Sequence, residues 1–140
     1  MDFTTTEAAQ DLSGLVDTIV DAVCTAEHQR ELDGLDQRFD QQLWRKLIDA
    51  DILSTAAPES LGGGGFGVLE QTAALTALGR QLAAVPYLDS VVLAAGALAR
   101  FGSPELQQGW GAAAVAGEKI LTVAADEDDG PGPGAGHRVR

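Results

Sequence analysis

Between Thr6 and His28, Leu12, Leu15, Val16, Ile19, Val20 and Val23 recur at steps of three and four residues, while Asp11, Asp17 and Asp21 fall off that stripe. This spacing predicts an amphipathic helix, interrupted mildly by Gly14. The charged stretch from Glu27 to Asp40, with Gly34 inside it, reads as a loop holding at most a short turn. Asp40 is a suitable N-cap for a second helix ending near Asp51, whose inner face carries Leu43, Trp44, Leu47 and Ile48. Ile52 to Ala57 is short and apolar and is expected to be extended. Pro58 to Gly67 holds too many glycines to stay regular.

Helical spacing resumes from Val68 to Ala83 through Leu69, Ala73, Leu75, Thr76 and Leu82, with Gly79 permitting close approach of a neighbour and Pro86 ending the run. Asp89 or Ser90 caps the next predicted helix, Val91 to Phe101. Its small apolar side chains nearly encircle it, so near-complete burial is expected, with Gly102 as its stop. Ser103, Pro104 and Glu105 then supply an N-cap, a first-turn proline and a first-turn acid for a last helix running toward Ala116. Lys119 to Ala125, with Ile120, Leu121, Thr122 and Val123, suits a strand, but it has no visible partner strand. Asp126 to Gly136 is acid, Gly and Pro, a composition expected to stay loose. The fold class that follows is all-α, a bundle of about five to six helices with a short extended segment and a loose tail at its C-terminal end.

Composition narrows the partners. Apolar residues make up 45% of the 140-residue chain and aromatics only 5%, so the core must be built mainly from Ala, Leu, Val and Ile. The balance of 21 acidic against 9 basic residues gives a formal charge of -12, which repels nucleic acid and anionic bilayers. An anionic ligand would need cations from another domain or subunit. Cys24 stands alone, which excludes an internal disulfide or a cysteine metal cluster and suits a reducing compartment. No signal peptide or membrane-length apolar run is visible, so a cytoplasmic location is expected.

Candidate chemistry is sparse. Gly62, Gly64 and Gly67 match the letters of GxGxxG, but a dinucleotide site needs a preceding strand within a βαβ unit, and here consecutive helices follow. A tight structural corner is the favoured reading, and no lysine follows to make a P-loop. His28 and His137 lack partners at metal-ligand spacing, so no metal is expected. Neither Ser90 nor Ser103 sits on a GxSxG elbow, and Glu59, Glu70 and Glu118 read as caps or solvated charges. No catalytic residue is assigned.

The order of the sequence words adds what the pattern cannot. Leu43-Trp44-Arg45-Lys46-Leu47, Ala57-Pro58-Glu59-Ser60-Leu61-Gly62-Gly63, Gly65-Phe66-Gly67 and Leu69-Glu70 resemble the N-terminal signature of acyl-CoA dehydrogenases. Leu78-Gly79-Arg80, Val85-Pro86, Gly102-Ser103-Pro104-Glu105-Leu106-Gln107 and Gly117-Glu118 follow in that family's order. The stretch from Leu78 to Leu98 is similar to the diverged actinobacterial members that act in steroid side-chain β-oxidation as heteromers of two different subunits.

This resemblance implies an N-terminal helical domain over residues 1–118 and the start of a β domain at residues 119–140, extended or disordered. The implied activity is α,β-dehydrogenation of an acyl-CoA thioester by FAD with a catalytic glutamate of the C-terminal domain, which this chain lacks. The family's flavin-contacting segment would begin at Val123, Ala124, Ala125 and Asp126. There Asp126 to Gly130 departs from the family's Thr, Pro and Gly-Ser pattern, so FAD retention by this chain alone is not expected. Leu75, Thr76, Gly79, Tyr87 and Ser90 are the implied substrate-channel residues. Small residues at Gly79, Ala83, Ala84, Ala94, Ala95 and Gly96 permit a wide apolar slot between helices. The expected partners are a second acyl-CoA dehydrogenase subunit or the remaining domains, and acyl-CoA in the complete enzyme. The alternative is a non-catalytic helical interaction module that stabilises a partner subunit.

Overall fold

The computed structural model describes residues 4–124, and among them it contains seven helices and no strand. They are α1 (Glu7–Val23), α2 (Ala26–Asp33), α3 (Gln41–Asp49), the single turn α4 (Ile52–Thr55), α5 (Val68–Arg80), α6 and α7. Helix α6 winds in π form over Tyr87–Ala95 and in α form over Gly96–Phe101. Helix α7 joins Pro104–Leu106, Gln107–Gly111 and Ala112–Val115, its middle stretch again in π form.

Helices α1 and α5 form the principal pair, and α3 lies across α1. The main core brings Leu12, Val16 and Val20 of α1 against Leu43 and Leu47 of α3, Ile52 and Leu53 of α4, Ala74, Ala77 and Leu78 of α5, and Tyr87 and Val91 of α6. Each fully buried Leu or Ile in that set contributes about 1.5–3 kcal/mol relative to exposure. A second, smaller core joins Ala57 and Leu61 of the glycine corner to Ala95 of α6 and to Ala114 and Val115 of α7. Most of its side chains are small, so these segments approach closely and the corner is drawn onto the end of the bundle.

Several boundaries differ from those read in the sequence. Helix α1 stops at Val23 because Cys24 leaves helical geometry and Thr25 caps a new helix by accepting from His28 N. The expected loop from Glu27 to Asp40 therefore begins with α2. The predicted extended piece at Ile52 is instead a helical turn, set off by Asp51 in the left-handed region (φ 57°) and tied by Ser54 Oγ and Thr55 Oγ1, which both donate to Asp51 O. Helix α5 ends well before Pro86. Leu82 adopts φ 52°, Leu82 N donates to Gly79 O and Ala83 N to Leu78 O, a Schellman ending at a position that glycine usually takes.

Two further expectations fail. Helix α6 begins at Tyr87 rather than Val91, directly after Pro86, and it is not encircled, since Leu93 and Phe101 are exposed. Burial depends on what neighbours a helix has, and the described chain covers one side only. The strand predicted at Lys119 is absent, because residues 119–124 have no partner strand and run without regular structure. The loose tail expected from Asp126 lies outside the described residues.

The starts of α1 and α5 are capped jointly. Thr6 Oγ1 accepts from Ala9 N and donates to Glu70 Oε1 at 2.6 Å, and Glu70 Oε2 accepts from Gly67 N at 2.9 Å. The Thr6 hydroxyl, then the backbone donors, hold the Glu70 carboxyl below its ordinary 4.5. A carboxylate whose folded pKa is lowered adds stability at pH above that ordinary value and loses it as pH falls through the folded pKa. Thermal melts taken downward from pH 5.5 should therefore show a falling midpoint in the native protein and a shallower fall in Thr6→Val. Equal acid slopes in the two proteins would remove Glu70 as the titrating cap.

Candidate functional site

The glycine corner is closed on itself. The amides of Gly62, Gly63, Gly64 and Gly65 donate to Glu59 O, Pro58 O, Ser54 O and Ala57 O respectively, and that of Gly67 to Glu70 Oε2. Anion cradles work by leaving such amides free at a helix start, and these five are already engaged. Gly62 and Gly65 have positive φ of 81° and 72°, the turn geometry that glycine supplies without steric cost. The corner thus carries the structural role read from the sequence. Glu59 and Glu118 are exposed and Glu70 is the cap described above, so none of the three is poised as a base.

The five implied channel residues lie on different sides of the α5–α6 region. Leu75 is half-buried against the main core, and Tyr87 lies within it at 1% exposure. Thr76 and Gly79 are exposed on α5, where nothing stands within 4 Å of the Gly79 Cβ position, so no neighbour exploits its small size. A groove of about 510 Å³ between α1 and α5 takes Thr76 from this set, along with Ala9, Ser13, Leu69 and Thr72, and ends at the Arg80–Asp17 ion pair of 2.9 Å. Ser90 is fully buried at the base of α6, with its Oγ accepting from Leu121 N at 3.0 Å.

Tyr87 carries a buried hydroxyl with no hydrogen-bond partner among the described residues, and burial pushes its pKa up to about 12. An unsatisfied buried donor costs about 1–3 kcal/mol. Tyr87→Phe, which removes the hydroxyl and keeps the ring, should raise stability by about 1 kcal/mol or more in denaturant titration. A destabilised variant would mean that the hydroxyl is satisfied in solution.

A further polar pair was not visible in the sequence. His28 Nε2 donates to Asp40 Oδ2 at 2.8 Å, and Asp40, only 1% exposed, also accepts from Leu43 N and donates its own amide to Ala84 O. Asp40 thereby ties α2, α3 and the α5–α6 connection together. Its capping role was visible in the sequence, but its pairing with a histidine twelve residues earlier was not. Nearby Cys24 has its thiol pKa raised, first by burial and then by the Asp40 charge, which disfavours the nucleophilic thiolate. Among the described residues no group of three or more His, Cys, Asp and Glu is arranged to hold a metal ion, and no helix is long and apolar enough to cross a membrane.

Of the implied flavin-contacting residues, Val123 and Ala124 are exposed, while Ala125 and Asp126 lie outside the described residues. Within those residues, the peptide groups of Val123 and Ala124 make no hydrogen bond.

Comparison with known proteins places this geometry. A family model described as acyl-CoA dehydrogenase, N-terminal domain, matches residues 6–118. Acyl-CoA dehydrogenase FadE27 of Mycobacterium tuberculosis (strain ATCC 25618 / H37Rv) is 78% identical over 144 residues, covering 100% of this chain and 39% of the relative. Among solved structures, the crystal structure of the ChsE4-ChsE5 complex from Mycobacterium tuberculosis matches with a TM-score of 0.91 and 79% identity, covering 98% of this chain and 39% of that one. A variant of the Tcur3481-Tcur3483 steroid ACAD matches with a TM-score of 0.81 and 35% identity, over 89% of this chain and 34% of that one. The chain therefore spans about two fifths or less of the length of these relatives.

Proposed function

The chain belongs to the acyl-CoA dehydrogenase family through its N-terminal domain, and on that premise we propose that it is the helical domain of a subunit in a heteromeric, cytoplasmic steroid acyl-CoA dehydrogenase. Its part there is to wall the acyl channel and to meet the partner subunit or the enzyme's other domains. The observation that carries this reading is the 79% identity, over nearly the whole chain, to a subunit of a two-subunit complex, together with a more distant match to a steroid enzyme. We place the domain boundary at residue 118, where α7 has ended and the chain runs on without regular structure.

The reaction, α,β-dehydrogenation of an acyl-CoA, needs a hydride acceptor that no side chain provides, and bound flavin would supply it. The contact at Val123, Ala124, Ala125 and Asp126 is carried over from the family resemblance and would be completed by parts of the enzyme beyond the helices. Along the acyl path, Leu75, Thr76, Gly79, Tyr87 and Ser90 are the residues proposed to line the channel. The exposed Leu93, Phe101, Leu106 and Trp110 on α6 and α7 also favour the narrower role of an interaction module that stabilises its partner.

One experiment tests the reading. The 140-residue chain, alone and co-expressed with the partner subunit of its heteromer, is passed through size exclusion with light scattering and a visible spectrum. A colourless chain on its own and a mixed complex on co-expression are expected. Stoichiometric flavin together with dye-linked acyl-CoA oxidation by the isolated chain would overturn the assignment of chemistry to other parts of the enzyme.

A further inference from the structure

Four contacts fasten the segment that leaves α7. Gly117, at φ 77°, lies against Ile48 of α3, its Cβ position 2.5 Å from that side chain. The amides of Glu118 and Lys119 both donate to Ala113 O. Lys119 Nζ donates to Gly109 O at 2.9 Å and stands 4.1 Å from the centroid of the Trp110 ring, a cation–π arrangement. The last contact is Leu121 N to Ser90 Oγ, with Leu121 half-buried against the second core.

The second and third contacts join the segment to its own helix, and the first sets it against Ile48, half-buried on the main core. Only the last reaches a fully buried polar side chain, and it joins residues 31 apart in the chain. A buried hydroxyl in a helix is held there by the bond it makes, since leaving either partner unmade carries a desolvation penalty. Among the described residues, Ser90 is thus the buried side chain that holds the segment just before Val123 and Ala124.

We propose that Ser90 is a positioning residue: its buried hydroxyl anchors Leu121 and thereby sets where Val123 and Ala124 leave the helical bundle. The link to a flavin contact rests on the function proposed above, whereas the anchoring itself does not. Ser90→Ala removes the acceptor and little volume; Ser90→Thr retains a hydroxyl.

The first measurement is amide hydrogen exchange by NMR on the 140-residue chain. Ser90→Ala should speed exchange at Leu121 by about tenfold, with the amides of Val16 and Leu47 unchanged and Ser90→Thr close to the native rate. Unchanged exchange at Leu121 in Ser90→Ala, with the core amides intact, would overturn the anchor. The second measurement is the flavin dissociation rate from the assembled heteromer carrying each variant. Faster release in Ser90→Ala with recovery in Ser90→Thr supports positioning. Faster Leu121 exchange with native flavin release overturns it. A native heteromer that takes up no flavin would count against the functional reading, and the exchange rates would still decide the anchor.

Discussion

Gly63→Ala is expected to lower the thermal midpoint by about 10 °C or more, the largest effect of any single methyl group in this protein. A Cβ at Gly63 would sit 2.2 Å from Ala57 O and 2.7 Å from Ala57 Cβ. Ala57 has nowhere to retreat: it is fully buried, and its carbonyl already accepts from Gly65 N. Relief requires moving backbone in the second core, at about 3 kcal/mol or more, the upper end for overpacking. Gly67→Ala supplies the control. Its Cβ position meets nothing closer than 3.9 Å, its φ is negative, and little change is expected. The pair also separates the two readings of the corner. In a dinucleotide loop Gly67 would be a sensitive position, whereas here it tolerates a methyl group and Gly63, outside the fingerprint, does not. A thermal midpoint for Gly63→Ala within about 2 °C of native would refute the packing described for this corner.

Leu47→Ala should cost about 2–5 kcal/mol in denaturant titration. Leu47 is fully buried in the main core, which α1, α3, α4 and α5 share, so the cavity it leaves is walled by several elements and cannot collapse onto one of them. Domains of this size have about 5–15 kcal/mol in total, which makes the loss a large fraction of the whole. Leu93→Ala on the exposed side of α6 is the counterpart, expected to change stability by about 0.5 kcal/mol or less. Similar losses at the two leucines would mean that α6 is covered in solution by a second molecule.

What the sequence made legible was local and periodic. The stripes of α1, α3 and α5 and the Ser103-Pro104 start of α7 announce themselves, because a helix that buries one face must repeat its apolar residues, and a cap must precede them. Helix α2 buries only Leu32, so it has no stripe to read, and the single turn α4 depends on a left-handed Asp51 that no pattern encodes. The exposure of α6 was misread for a different reason. Its residues are apolar on nearly every side, but only neighbours decide which of them are covered.

The functional positions divide in the same way. The ordered words around Trp44, Pro58 and Gly102 carried the family, while composition gave the negative charge and its consequences. Ser90 to Leu121 and His28 to Asp40 escaped, since each is a single bond between elements of the folded chain. The closure of the glycine corner escaped likewise, because letters show glycines and only coordinates show whether their amides are already taken.

The Lys119–Trp110 stack has an optical consequence. The two indoles of this protein occupy opposite environments, Trp44 at 5% exposure beside the edge of Phe39 and Trp110 at 49% beneath an ammonium group. Emission from the first lies toward the blue and reports the integrity of the bundle. The second emits toward the red and responds when Lys119 lifts away. A single intrinsic fluorescence spectrum therefore reads two clocks, one for melting and one for departure of the outgoing chain, without any attached label.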